Sequence, residues 1–233
     1  MSKERRAVPE QTINDALSQQ AGRVTPVISR RHARAAPQLA GRFNYTTMVR
    51  NRPCALGRWR VTTTTPHIAE RIAQHLGGRV QHDLVRGLAE TMTESSAVDI
   101  LLAGPEDLYV GWRHAGWGVC DSGAQDQRRS CSCPADFAQR RAAAKRGYGC
   151  VPRAEIAFRL RCSAELGVFE HLSDDWSFVE LVIATHMALR GLDGPAVARL
   201  EVVRTHHTLH SGRLLSYTRP VIALLDASQQ VLL

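Results

Sequence analysis

Apolar and polar positions change their period several times along the chain, and each change marks an element. Gly57 to Thr64 is rich in β-branched and aromatic residues and predicts a strand. Thr65 then offers an N-cap hydroxyl and Pro66 suits the first helical position, where a backbone N–H is not needed. Ile68, Ile72 and Leu76 recur every four residues and Gly77-Gly78 stops the run, so a helix follows the strand. Residues 97–103 and 107–113 flank Gly104-Pro105-Glu106 and read as a β-hairpin. Glu155–Arg161 and Gly167–His171 read as two further strands. Ser177 and Glu180 have capping-box spacing at the head of a helix predicted over Ser177–Arg190, with Gly191 as its stop. Phe178, Leu181, Val182, Thr185 and Leu189 fall on one face of that helix. Val197–Thr205 and Leu214–Leu225 are the last strands expected. The expectation is an α+β chain with a mixed or antiparallel sheet, two main helices and a loop-rich insertion stapled by metal.

Two stretches lack this periodicity. Residues 1–41 mix Arg, Gln, Ala, Ser and Pro and read as a disordered arm, apart from one helical turn at Ile13–Leu17. The folded body is expected over residues 42–233. Residues 114–152 form the second aperiodic stretch, with a short helix expected at Ala135–Lys145.

Charge sharpens the division. The chain of 233 residues has a net charge of +8, but residues 1–60 hold twelve Lys and Arg against Glu4, Glu10 and Asp15, which leaves −1 for the remainder. The basicity therefore belongs to an arm, and a basic arm favours a polyanion or an acidic partner, or serves only to keep the chain soluble. No run of 18 apolar residues occurs and the N-terminus is polar, so a cytoplasmic protein with no membrane partner is expected.

Four of the six cysteines fall in the second aperiodic stretch, as Cys120, Cys131, Cys133 and Cys150. In a reducing compartment, clustered thiols point to metal. Four thiolates close a tetrahedral shell around Zn²⁺, and Gly116, Gly118, Pro134, Gly147 and Gly149 supply the turns that convergence needs. A segment of this length without a hydrophobic pattern needs such a staple. The spacing is not a double C-x-x-C, so buried free thiols and an iron–sulfur or redox pair remain as alternatives, and His114 could replace one thiolate. Cys54 and Cys162 have apolar or strand neighbours and read as buried thiols.

The remaining candidates have plainer readings. His206, His207 and His210 are expected in a solvated turn, without a carboxylate to complete a metal shell. Asp174, Asp175 and Glu180 sit at a helix start, where carboxylates offset the N-terminal dipole. Arg128, Arg129, Arg140, Arg141, Lys145 and Arg146 face only Asp121, Asp126 and Asp136 within the cysteine segment, which makes that surface basic. P-loop, G-x-S-x-G and H-E-x-x-H signatures do not occur, and a binding role is favoured over an enzyme.

The basic arm leading into Gln11–Leu17, the Cys131-Ser132-Cys133-Pro134 knot and the stretch Gly167–Phe178 together resemble the recombination directionality factors of actinobacterial phages. The resemblance spans most of residues 42–225. It implies a non-enzymatic protein of the bacterial host cytoplasm that binds a large serine integrase near its coiled-coil arm and turns it from integration to excision. DNA would be reached indirectly, through the integrase, with help from the basic arm. The family contains unrelated folds, so the resemblance does not fix this one. The competing reading is a zinc-containing DNA- or RNA-binding regulator.

Overall fold

The computed structural model describes residues 38–114, 118–119, 133–134, 136–208 and 211–225. They fall into two compact units, one of residues 112–151 and one of the segments before and after it.

The larger unit is built on nine strands in the order β11-β10-β5-β8-β9-β1-β2-β4-β3. These are β1 (Leu39–Val49), β2 (Arg52–Thr63), β3 (Val80–Asp83), β4 (Leu88–Met92), β5 (Ala97–Leu102), β8 (Cys150–Leu160), β9 (Val168–Ser173), β10 (Ala196–Thr208) and β11 (Leu214–Leu224). β1 runs parallel to β9 and antiparallel to β2, so the sheet is mixed. The sheet curls enough for β10 and β11 to touch β2 as well. Strict alternation of buried and half-buried positions along β5 and most of β8 explains why these segments are strands with one face on the core. Phe43, Trp59, Phe158 and Phe169, from four different strands, meet in that core, with Phe43 placed edge-on to the other three at 5.3 to 5.9 Å.

Two helices cover the sheet. α1 (Pro66–Leu76) lies on β2, β3 and β4 and buries Ile68, Ala69 and Ile72. Thr65 occupies its N-cap position as expected, but the hydroxyl makes no capping bond. Gly77 and Gly78, both at positive φ, end the helix, and a side chain at Gly78 would strike the Met92 carbonyl. α3 (Trp176–Leu189) packs on β11 and buries Phe178, Val179, Val182, Ile183, Thr185 and Leu189. Its cap is Asp175, whose Oδ1 accepts from the Phe178 N–H at 2.9 Å, and not Ser177, which lies inside the first turn.

The α+β class and the mixed sheet hold, with three helices among the described residues and a larger share of strand than expected. The expected hairpin between residues 97 and 113 is corrected. β5 and β6 (Leu108–His114) are separate strands that both pair with β8, joined by a 3-10 turn at Pro105–Asp107. β5 gives its other edge to β10, so its hydrogen-bonding groups are satisfied by distant segments. The first strand starts at Leu39, three residues ahead of Arg42, and the rest of the basic arm lies outside the described residues. No described helix is long and apolar enough to cross a membrane.

Candidate metal centre

The smaller unit holds the end of β6, which forms a short antiparallel ladder with β7 (Gly118–Val119), then α2 (Phe137–Lys145), and the first residues of β8. Asp136 caps α2, its Oδ1 accepting from the Gln139 N–H at 2.8 Å. Phe137, Arg140 and Ala143 form the buried face of this short helix. The Arg140 guanidinium lies 4.2 Å from the Trp112 ring centroid, and Trp112 stands edge-on to Phe137 at 6.1 Å. The Arg140 Nε–H donates to the Pro134 carbonyl at 2.8 Å, which fixes the chain one residue beyond Cys133.

At the other end of α2, Gly147 adopts a positive φ and its N–H caps Ala144 at 2.9 Å. Gly149 comes so close to the helix that a Cβ there would lie 2.5 Å from the Ala144 nitrogen. That approach leads directly to Cys150, which is fully buried at the head of β8. The sulfurs of Cys133 and Cys150 are 3.1 Å apart. A disulfide holds its sulfurs at about 2.05 Å, and two bonds of about 2.3 Å to one tetrahedral zinc separate them by about 3.8 Å. The pair therefore stands between the two geometries as two adjacent thiols.

Two of the four expected ligands are thus brought together from positions 17 residues apart. Cys120 and Cys131 lie outside the described residues, and among those described no group of three or more His, Cys, Asp and Glu side chains is gathered. The pair supplies two of the four thiols that such a site would use, at a separation shorter than two ligands of one zinc keep. His114 is placed in β6 by its backbone pairing to Gly118.

Other candidates fall elsewhere. Cys54 and Cys162 are exposed, a correction to their reading as buried thiols: one lies on an open strand pair and the other in the turn after β8. His206 and His207 belong to β10 and not to a turn, because that strand runs on to Thr208 opposite Leu214; His210 is outside the described residues. Asp175 does the capping work expected of a helix-start carboxylate. No local pattern in the sequence singles out His171. It is fully buried, its Nδ1 lies 2.8 Å from the Phe43 carbonyl oxygen, and its ring packs against Trp59 and Phe178. Burial holds its pKa down to about 4, the carbonyl only partly opposing that shift. Its Nε2 meets no hydrogen-bond partner among the described residues.

No family model matches the chain, and no solved structure matches it.

Proposed function

We propose that this protein is a recombination directionality factor that binds a large serine integrase in the bacterial cytoplasm and redirects it from integration to excision. The partner is supplied by the resemblance through residues 131–134 and 167–178. The structural observation that carries a binding role is the outer end of the β10–β11 ribbon. β5 pairs with β10 from Ala196 to Glu201, and the Val202 N–H still donates to the Ser96 carbonyl ahead of β5, so Val203–Thr208 and Leu214–Arg219 extend as two strands without a third. On that extension Leu214, Leu215 and Tyr217 are 61%, 45% and 38% exposed. Leu215 and Tyr217 share one face of the strand and Leu214 lies on the other, and an exposed leucine beside a tyrosine has the composition of a protein-docking surface.

Redirection requires only that the factor bind one integrase arrangement better than another. A coupling of about 1–3 kcal/mol suffices and involves no chemistry on the factor's side. In this reading Zn²⁺ on Cys120, Cys131, Cys133 and Cys150 staples the smaller unit. Arg140 supports the staple: a buried cation with no ion-paired carboxylate among the described residues is offset by the negative charge of a four-thiolate zinc complex.

The test is a purified recombination assay with both pairs of attachment sites. The protein should promote excision and suppress integration, saturating near one factor per integrase subunit. No response in either direction at molar excess, together with no complex in solution, overturns the reading.

A further inference from the structure

The β1–β2 ribbon leads beyond this reading. β9 pairs with β1 only through Leu39–Phe43, and β4 pairs with β2 only through Arg60–Thr63. Past the irregularity after Asn44, Thr46–Val49 and Arg52–Ala55 pair only with one another. Every residue from Met48 to Ala55 is exposed, and Met48 and Val49 are 64% and 51% exposed. At about 3.3 Å per residue this free ribbon is roughly 13 Å long.

Its charge has one sign. No acidic residue occurs between Asp15 and Glu70. At the ribbon's base the arginines are paired, Arg42 with Glu170 and Arg60 with Glu90. Arg50 and Arg52 at the tip, and Arg58 nearer the base, form no ion pair among the described residues. Nothing in the described fold uses these three charges.

The turn itself points the same way. Arg50 and Asn51 both have positive φ, 47° and 60°, the pattern of a two-residue type I′ turn, where Asn-Gly is favoured. An arginine at the first position adopts a left-handed backbone that its Cβ disfavours. A strained, unpaired arginine at the tip of an open ribbon is a feature that folding alone does not select.

We infer that the tip of the β1–β2 ribbon is a DNA-contacting element that enters the major groove of duplex DNA. That groove is about 12 Å wide and admits a two-stranded ribbon without distortion. Arg50 and Arg52 would reach phosphates or guanine edges, and Met48 and Val49 are apolar enough to lie on thymine methyls. Double-stranded RNA closes its major groove to side chains, so the ribbon distinguishes the two duplexes. No integrase is needed for this contact, since this chain makes it alone.

The experiment is fluorescence anisotropy of the full chain with a 25-base-pair DNA duplex and the matching RNA duplex over a salt series. Arg50→Gly combined with Arg52→Ala should weaken DNA binding at least tenfold and RNA binding less than twofold. The slope of log affinity against log salt should flatten by at least about 0.9, the increment for each phosphate that the protein ceases to neutralise. Arg50→Gly alone should raise the melting temperature while lowering DNA affinity, a combination that loss of fold cannot produce. Unchanged DNA affinity in the double variant overturns the inference. So does an equal loss on RNA, or removal of the arginine-dependent part of binding by netropsin, a minor-groove ligand.

Discussion

The Cys133 sulfur lies 3.1 Å from the Cys150 sulfur, one from the chain entering α2 and the other from the strand that leaves it. The helix is the spacer that sets this distance, clamped by Arg140 at one end and by Gly149 at the other. If the pair belongs to a four-thiolate site, protein prepared without chelator should carry about one Zn²⁺ per chain by elemental analysis. Cys133→Ser should release it and reduce solubility. Metal-free protein with a Cys133–Cys150 disulfide in peptide mapping would instead establish a redox pair.

Arg140 should matter to that unit beyond its charge. Arg140→Leu keeps much of the volume but removes the hydrogen bond to Pro134 and the packing on Trp112. Faster zinc loss to a competing chelator is expected, with the larger unit's stability unchanged. Metal retention equal to the wild type would show that the clamp does not position Cys133.

The basic segment should contribute binding rather than stability. Deleting residues 1–37 leaves β1 intact from Leu39, including the parallel pairing to β9 and the Ala40 carbonyl that accepts from Thr63. The melting temperature should change little, while salt-sensitive association weakens. Removing residues 1–43 instead should unfold the chain, because Phe43 stands at the centre of the aromatic core.

His171 should make the protein sensitive to acid. Its folded pKa, about 4, lies below the ordinary value of 6.5, so the fold favours the neutral ring. Its contribution is complete above about pH 6.5 and falls as pH descends toward 4, where the unfolded chain takes up a proton that the fold resists. The shift corresponds to roughly 3 kcal/mol. His171→Gln should be less stable at pH 7, and its deficit should shrink by about pH 4.5 in urea titrations. A deficit independent of pH would mean that the ring does not titrate on unfolding.

The two cap candidates of α3 are separable. Asp175→Ala should cost about 0.5–2 kcal/mol, since it frees the Phe178 N–H, whereas Ser177→Ala should be nearly neutral. Equal effects in thermal unfolding would place both residues in the cap.

Elements whose signals are local are legible in the sequence. α1 is bounded by Pro66 and Gly77 and carries its own apolar stripe, so its ends follow from adjacent residues. Most of the strands are legible too, though not β1, β3 and β4, and the side-chain patterns of the others understate their length. β2 extends back to Arg52 and β10 on to Thr208, because pairing with a partner strand sustains residues whose own β signal is weak. At α3 the cap sits two residues ahead of the expected position. Asp175 and Ser177 are both good caps, and the extended backbone at Asp175 decides between them.

What the sequence determined by itself was the class of most elements, though not of β1, β3 and β4, the concentration of positive charge before residue 61, and the clustering of four thiols in a stretch without a hydrophobic pattern. Tertiary structure decided who pairs with whom. A strand's edges carry identical N–H and C=O groups whatever its side chains, so nothing near Ala97–Leu102 says that β8 and β10, and not β6, will satisfy them. The same holds for burial: Cys54 and Cys162 look like core residues beside their neighbours, yet sit on the outside. His171 reads as an ordinary strand residue, yet lies on the Phe43 carbonyl 128 positions away. Those outcomes depend on how the sheet curls, which is a sum over distant contacts and is written at no single position.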